Sequence, residues 1–118
     1  MAILELPPQL ASKAIDLTEI GLNELAWSRE DALLILELFS EHSTVVLGGD
    51  VLKLRGSKYH FTYDNWHFDP IPIDPPAQNS KNSIQVASTY IEKYREGPFV
   101  FVLVPPSFVW RFATPPEN

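Results

Sequence analysis

Thr44-Val45-Val46-Leu47-Gly48-Gly49-Asp50-Val51-Leu52-Lys53-Leu54, then Arg55-Gly56-Ser57-Lys58, then Tyr59-His60-Phe61-Thr62-Tyr63, is the stretch that decides the fold. Its two ends are β-branched, aliphatic and aromatic, the composition of a pleated and half-buried surface. Its middle is a turn. The chain therefore runs out along one strand and returns along the next as an antiparallel hairpin, with strands over about 44–54 and 58–66. Two adjacent glycines inside the first strand mark either a tight turn or a bulge where backbone comes close.

Outward from the hairpin, Ser28 is a good N-cap, and Glu30 and Asp31 lie in the first turn, where the helix dipole favours negative charge. Ala32, Leu33, Ile35, Leu36 and Phe39 then recur at helical spacing, predicting a helix over about 29–42 with Glu37 and Glu41 turned outward. On the other side, Asp69 to Asn82 contains Pro70, Pro72, Pro75 and Pro76 and reads as a stiff, extended loop. Ser80 or Ser83 then caps a second helix, about 81–96, with Ile84, Ala87, Tyr90, Ile91 and Tyr94 on one face and Gly97-Pro98 as its stop. Phe99 to Val104 is apolar on both faces, the pattern of a central strand covered on each side. Up to about Leu25 only short turns are legible, from Ser12, Asp16 and Thr18 as starts and Gly21 as a stop. Ser107 to Phe112 reads as an edge strand and Thr114 to Asn118 as a frayed tail. The expected class is α+β: a small, mainly antiparallel sheet of three to five strands packed with two main helices. With 118 residues the chain is too short for two cores, so one domain over 1–118 is expected, 1–20 and 113–118 being peripheral.

Composition narrows the function. Cysteine is absent, which removes disulfides and thiolate chemistry and fits a reducing cytoplasm. The N-terminal run lacks a basic start and is broken by Glu5 and Pro7, so it does not read as a signal peptide. The apolar run Phe99 to Val104 is too short to cross a bilayer, and a cytoplasmic protein with no membrane partner is expected. Fifteen acidic against nine basic residues leave a net charge of −6. That balance argues against nucleic acid and favours a basic protein partner through faster encounter.

The densest functional-looking segment is Tyr63-Asp64-Asn65-Trp66-His67-Phe68-Asp69. His60, Asp64, His67 and Asp69 are metal-ligand types, but their spacing matches no compact zinc motif, and no metal, cofactor or catalytic group is expected. In the bland reading Asp64 and Asn65 close a turn through side-chain hydrogen bonds while Trp66 anchors the strand end. Gly48-Gly49-Asp50 departs from the diguanylate cyclase signature, because Val51-Leu52 follows it. His42-Ser43 sits at a helix end and reads as a dipole partner. Aromatic anchors ringed by acids are what a protein-binding surface requires. Asp50, Asp64, Trp66, His67, Asp69 and Asp74 are thus the candidate contact residues, with Trp66 as desolvated anchor and Glu37 and Glu41 as a second acidic face. Two alternatives stand beside this reading. One is a metal-dependent or hydrolytic enzyme using His60, Asp64 and His67; the other is an adaptor subunit, which would expose a large apolar patch.

Trp27 before a helix, then Leu47-Gly48-Gly49-Asp50-Val51, then Thr62-Tyr63-Asp64-Asn65-Trp66, is an ordered set. A Ser-led helix carrying Tyr90-Ile91 and Tyr94 follows, and a Phe/Val strand ends it. This set resembles the immunity protein 40 family of bacterial polymorphic toxin systems over roughly residues 20–104. The resemblance implies an α+β immunity protein that binds and neutralises a cognate toxin, and the function expected of the chain is stoichiometric inhibition by occlusion, with no turnover.

Overall fold

The hairpin forms as β4 (Gly48–Arg55) and β5 (Lys58–His67), joined at Gly56-Ser57 with Gly56 at φ 61°. The computed structural model describes residues 2–22, 24–105 and 108–112, with side chains over 5–22 and 24–105. Ser107 and the tail expected at Thr114 to Asn118 lie outside the described residues. Around the hairpin are β2 (Ile15–Asp16), β3 (Leu25–Trp27) and β6 (Phe99–Val104), giving a five-stranded antiparallel sheet in the order β2-β3-β6-β4-β5. A separate parallel pair joins β1 (Ala2–Leu6) to β7 (Phe108–Phe112). The short strands of the N-terminal part are not legible in the sequence, because two or three residues cannot establish a period.

β6 is central, as its doubly apolar pattern predicts, and it sorts the core into two faces. Phe99, Phe101 and Leu103 point to helices α2 (Arg29–Glu41) and α3 (Pro76–Lys93), where they meet Ile35, Leu36, Phe39, Ala87 and Ile91. Val100 and Val102 point the other way and, with Leu52 and Ala26, are covered by Leu17, Ile20 and Leu22. The segment 15–22 is thus a lid on the far face of the sheet, shaped by a single 3-10 turn at Thr18–Ile20 that Gly21 ends at φ 84°. The helix α1 (Pro8–Ala11) adds Leu10 to the helix-side core.

Two boundaries differ from expectation. Residues 44–47 are not strand: the backbone at Thr44 and Val46 bonds to side chains of α3, and pairing with β6 begins only where the Leu47 N–H donates to the Val104 carbonyl at 2.7 Å. Ser80 Oγ donates to the Thr44 carbonyl at 2.8 Å, and the Val46 N–H donates to Ser83 Oγ at 3.0 Å. These serines are therefore buried latches inside the helix and not its cap. α3 begins earlier, at Pro76, where proline's missing N–H costs nothing. The preceding loop is held stiff by Asn79, whose side chain accepts from the Ile71 N–H at 2.8 Å and donates to the Ile71 carbonyl at 2.9 Å.

α2 behaves as its sequence predicts, with Ser28 Oγ accepting from the Asp31 N–H at 3.2 Å. Its first residue also finishes the other helix. Arg29 donates to the carbonyls of Ile91, of Tyr94 at 2.8 Å and of Arg95 at 2.9 Å, satisfying the C-terminal acceptors that α3 leaves open. The same guanidinium lies 5.7 Å from the Phe101 ring centre.

Arg29→Met keeps the aliphatic stem but leaves those carbonyls without their donor, so it should cost about 2 kcal/mol. Urea denaturation will show it as a lowered midpoint; an unchanged midpoint would mean water replaces the guanidinium at no cost. Gly49→Ala tests a closer contact. A methyl there would lie 2.1 Å from the Trp66 ring and 2.3 Å from the Val102 carbonyl. Overpacking of this kind should cost about 3 kcal/mol by the same measurement.

Candidate functional site

The two motifs singled out in the sequence are one structure. Gly48 pairs with His67, Gly49 with Trp66 and Asp50 with Asn65 across β4 and β5. Trp66 packs over Gly49 on the helix side, only 8% exposed, with its ring 4.8 Å from that of Tyr90. Trp66 is therefore not available as an exposed interface anchor: glycine at 49 opens the slot that the indole fills. The indole N–H has no hydrogen-bond partner among the described residues, so shape and area, not a polar contact, fit tryptophan to this position.

Below this pair the hairpin is irregular. Between Asp50 opposite Asn65 and Leu52 opposite Phe61, β4 spends one residue and β5 spends three. The turn expected at Asp64-Asn65 is this bulge, after which the strand continues to His67. Thr62 Oγ1 secures it by donating to the Val51 carbonyl at 2.8 Å and accepting from the Asp64 N–H at 3.1 Å. Asn65 Nδ2 donates to the Tyr63 carbonyl at 3.1 Å. Tyr63 between them is held at φ 69°, a left-handed conformation that costs an L-residue with a bulky side chain.

The bulge distributes its side chains to both faces of the sheet. On the helix side, Asp64 Oδ2 accepts from the Tyr94 hydroxyl at 2.7 Å and lies 3.6 Å from Arg95 Nη1. Arg95 in turn covers the rings of Tyr94 and Phe99 at 5.0 and 4.8 Å. Tyr94 meets Phe99 edge-on at 4.9 Å. A groove of about 900 Å³ opens here between α3 and the bulge, floored by Tyr90 and Tyr94 and walled by Val86, Thr89 and Lys93. Burial, followed by the hydrogen bond to Asp64, pushes the Tyr94 hydroxyl above its ordinary pKa; burial and the Asp64 charge do the same to Tyr90.

On the far face the picture is more open. Asp50 shares that face with Leu52, and the exposed rings of Phe61 and Tyr63 stack at 6.1 Å. His67, opposite Gly48, points to the same side and contacts Asp69 at 3.1 Å. The predicted residues are thus divided. Asp50, His67 and Asp69 lie toward the far face, while Asp64 and Trp66 lie on the helix side. Asp74 sits in the proline loop, where its N–H donates to the Ile71 carbonyl at 3.0 Å. Glu37 and Glu41 are exposed on α2. His60, opposite Lys53, and His67, opposite Gly48, project to opposite faces, so His60, Asp64 and His67 do not converge. Among the described residues no group of three His, Asp or Glu side chains is placed to hold a metal ion. The exposed large apolar side chains among the described residues are Leu34 on α2, Val86 on α3, Ile71 and Ile73 in the loop, and the neighbouring pair Phe61 and Tyr63 on β5. No helix among the described residues is long and apolar enough to cross a membrane.

Comparison with known proteins adds one positive finding. A family model described as Immunity protein 40 matches residues 16–105, which takes in the hairpin, both long helices and the central strand. No curated protein and no solved structure matches the chain.

The raised tyrosines give a pH signature. A phenol whose folded pKa exceeds its unfolded value of 10.0 stabilises the fold fully below that value, and the contribution is lost as pH rises through the folded pKa. Alkaline titration followed by phenolate absorbance should show late-ionising tyrosines, and Tyr94→Phe should remove one of them. Loss of the Asp64 hydrogen bond should also lower stability by about 1 kcal/mol at neutral pH. A titration curve whose late component is the same in Tyr94→Phe would contradict the half-buried, hydrogen-bonded hydroxyl.

Proposed function

Since the chain belongs to the immunity protein 40 family, we propose that it binds a cognate bacterial protein toxin and neutralises it by stoichiometric occlusion, acting in the cytoplasm as a single folded unit. The match over residues 16–105 is the observation that carries this reading, because it spans the described sheet and helices instead of one motif. Charge supports it. A net charge of −6 steers a basic toxin surface toward the chain and raises the encounter rate. The alternative of an enzyme using His60, Asp64 and His67 is disfavoured by the described geometry: the two histidines of the hairpin face opposite sides, and Asp64 is already engaged by Tyr94 and Arg95.

The contact residues proposed for this function are Asp50, His67 and Asp69 on the far face and Asp74 in the adjoining loop. Asp64 and Trp66 act indirectly, by shaping the hairpin that presents them.

Co-expression tests the proposal. A toxin domain encoded beside this chain's gene should arrest growth when expressed alone and cease to do so when the chain is expressed with it. The two should then elute together at one-to-one stoichiometry in size-exclusion chromatography with light scattering. Continued arrest, or separate elution, would reject the assignment.

A further inference from the structure

The lid formed by residues 15–22 covers Leu52, Val100 and Val102 and reaches as far as Tyr59, which it meets through Leu17 and Ile20. It stops there. Past Tyr59 the far face of β5 is open, and Phe61 and Tyr63 lie on it 41% and 84% exposed. Asp50 stands one strand away, half-buried, and its carboxylate has no hydrogen bond or ion pair among the described residues. Glu24, just before β3, is close enough to respond to it: burial first, and then the Asp50 charge, raise the Glu24 carboxyl above its ordinary value.

Tyr63 is presented by a backbone held on both sides. Its backbone is fixed in a left-handed conformation by the Thr62 and Asn65 side chains on either side, and its ring rests on Phe61. A backbone already held in this conformation need not be ordered on binding, and tyrosine itself has only two side-chain torsions to lose, which suits an interface anchor. The groove on the opposite face lacks this readiness, because its one carboxylate, Asp64, is already paired with Tyr94 and Arg95.

We propose that the open face of the hairpin is the surface that meets the partner, with Tyr63 and Phe61 seated in an apolar pocket and a partner lysine or arginine set against Asp50. The inference rests on the immunity reading and deepens it. It commits to a protein surface on which a basic side chain borders an apolar recess, and it moves the anchoring role from Trp66 to Tyr63.

The experiment uses the full chain and the toxin domain encoded beside its gene, with affinity and rates read by surface plasmon resonance. Tyr63→Ala should weaken binding about 30-fold, mainly through faster dissociation. Asp50→Asn should weaken it about tenfold, mainly through slower association with a shallower salt dependence. Val86→Ala, in the groove on the other face, should change nothing. Tyr63→Gly separates folding from recognition. Glycine adopts the left-handed conformation without strain, so this variant should be at least as stable as the parent in urea and still bind weakly. If the parent chain itself does not bind the toxin domain, the immunity reading fails. If the parent binds and Tyr63→Gly binds equally well, or Val86→Ala is the variant that loses affinity, the open face is not the contact surface.

Discussion

The close approach of the Trp66 indole to Gly49 is the constraint on which the rest of the hairpin depends. Any side chain at 49 would collide with the ring on one side and the Val102 carbonyl on the other. With glycine there, the indole packs against β4 and reaches Tyr90 on α3. It thereby welds hairpin to helix. Once Trp66 is fixed inward, alternation along β5 determines everything nearby: Asn65 and His67 must face outward, and Asp64 must turn toward α3 and Tyr94. The bulge at Thr62 to Asp64 absorbs the mismatch between this end of the strand and the regular pairing that resumes at Phe61 and Leu52.

The helices are tied down by polar contacts over long sequence separations, not by packing alone. Arg29 reaches across to residues 91–95, and Ser80 and Ser83 reach back to 44–46. Both sets satisfy backbone groups that regular pairing would otherwise have to provide. In this way a thirteen-residue and an eighteen-residue helix, each with only one apolar face, are locked in register with a sheet whose central strand has six residues.

Much of this was legible in the sequence. The α+β class, the hairpin, both long helices and the doubly buried strand 99–104 follow from period, turn residues and capping, which are local properties. The places where reading failed are those where a distant partner decides the outcome. Thr44 to Leu47 has strand composition, yet its backbone at Thr44 and Val46 is claimed by two serines 36 and 37 residues later. Trp66 has the composition of an exposed hot spot, yet a glycine on the neighbouring strand takes it into the core. Tyr63 gave little signal beyond the Asp-Asn pair that follows it, because its positive φ arises from the register of two strands. The acids were easier to locate than to group, since which face each occupies depends on the bulge.

The bulge also bears on how the chain behaves among its own copies. β5 is the outer strand of the sheet, ten residues long, and no strand pairs its other side among the described residues. A straight edge of that length is a template on which identical molecules can stack into fibres. Three residues out of register near its middle break the row of donors and acceptors into two short pieces, neither long enough to guide an incoming strand. The irregularity that sets Tyr63 apart thus also works against edge-to-edge stacking of the chain on its own copies.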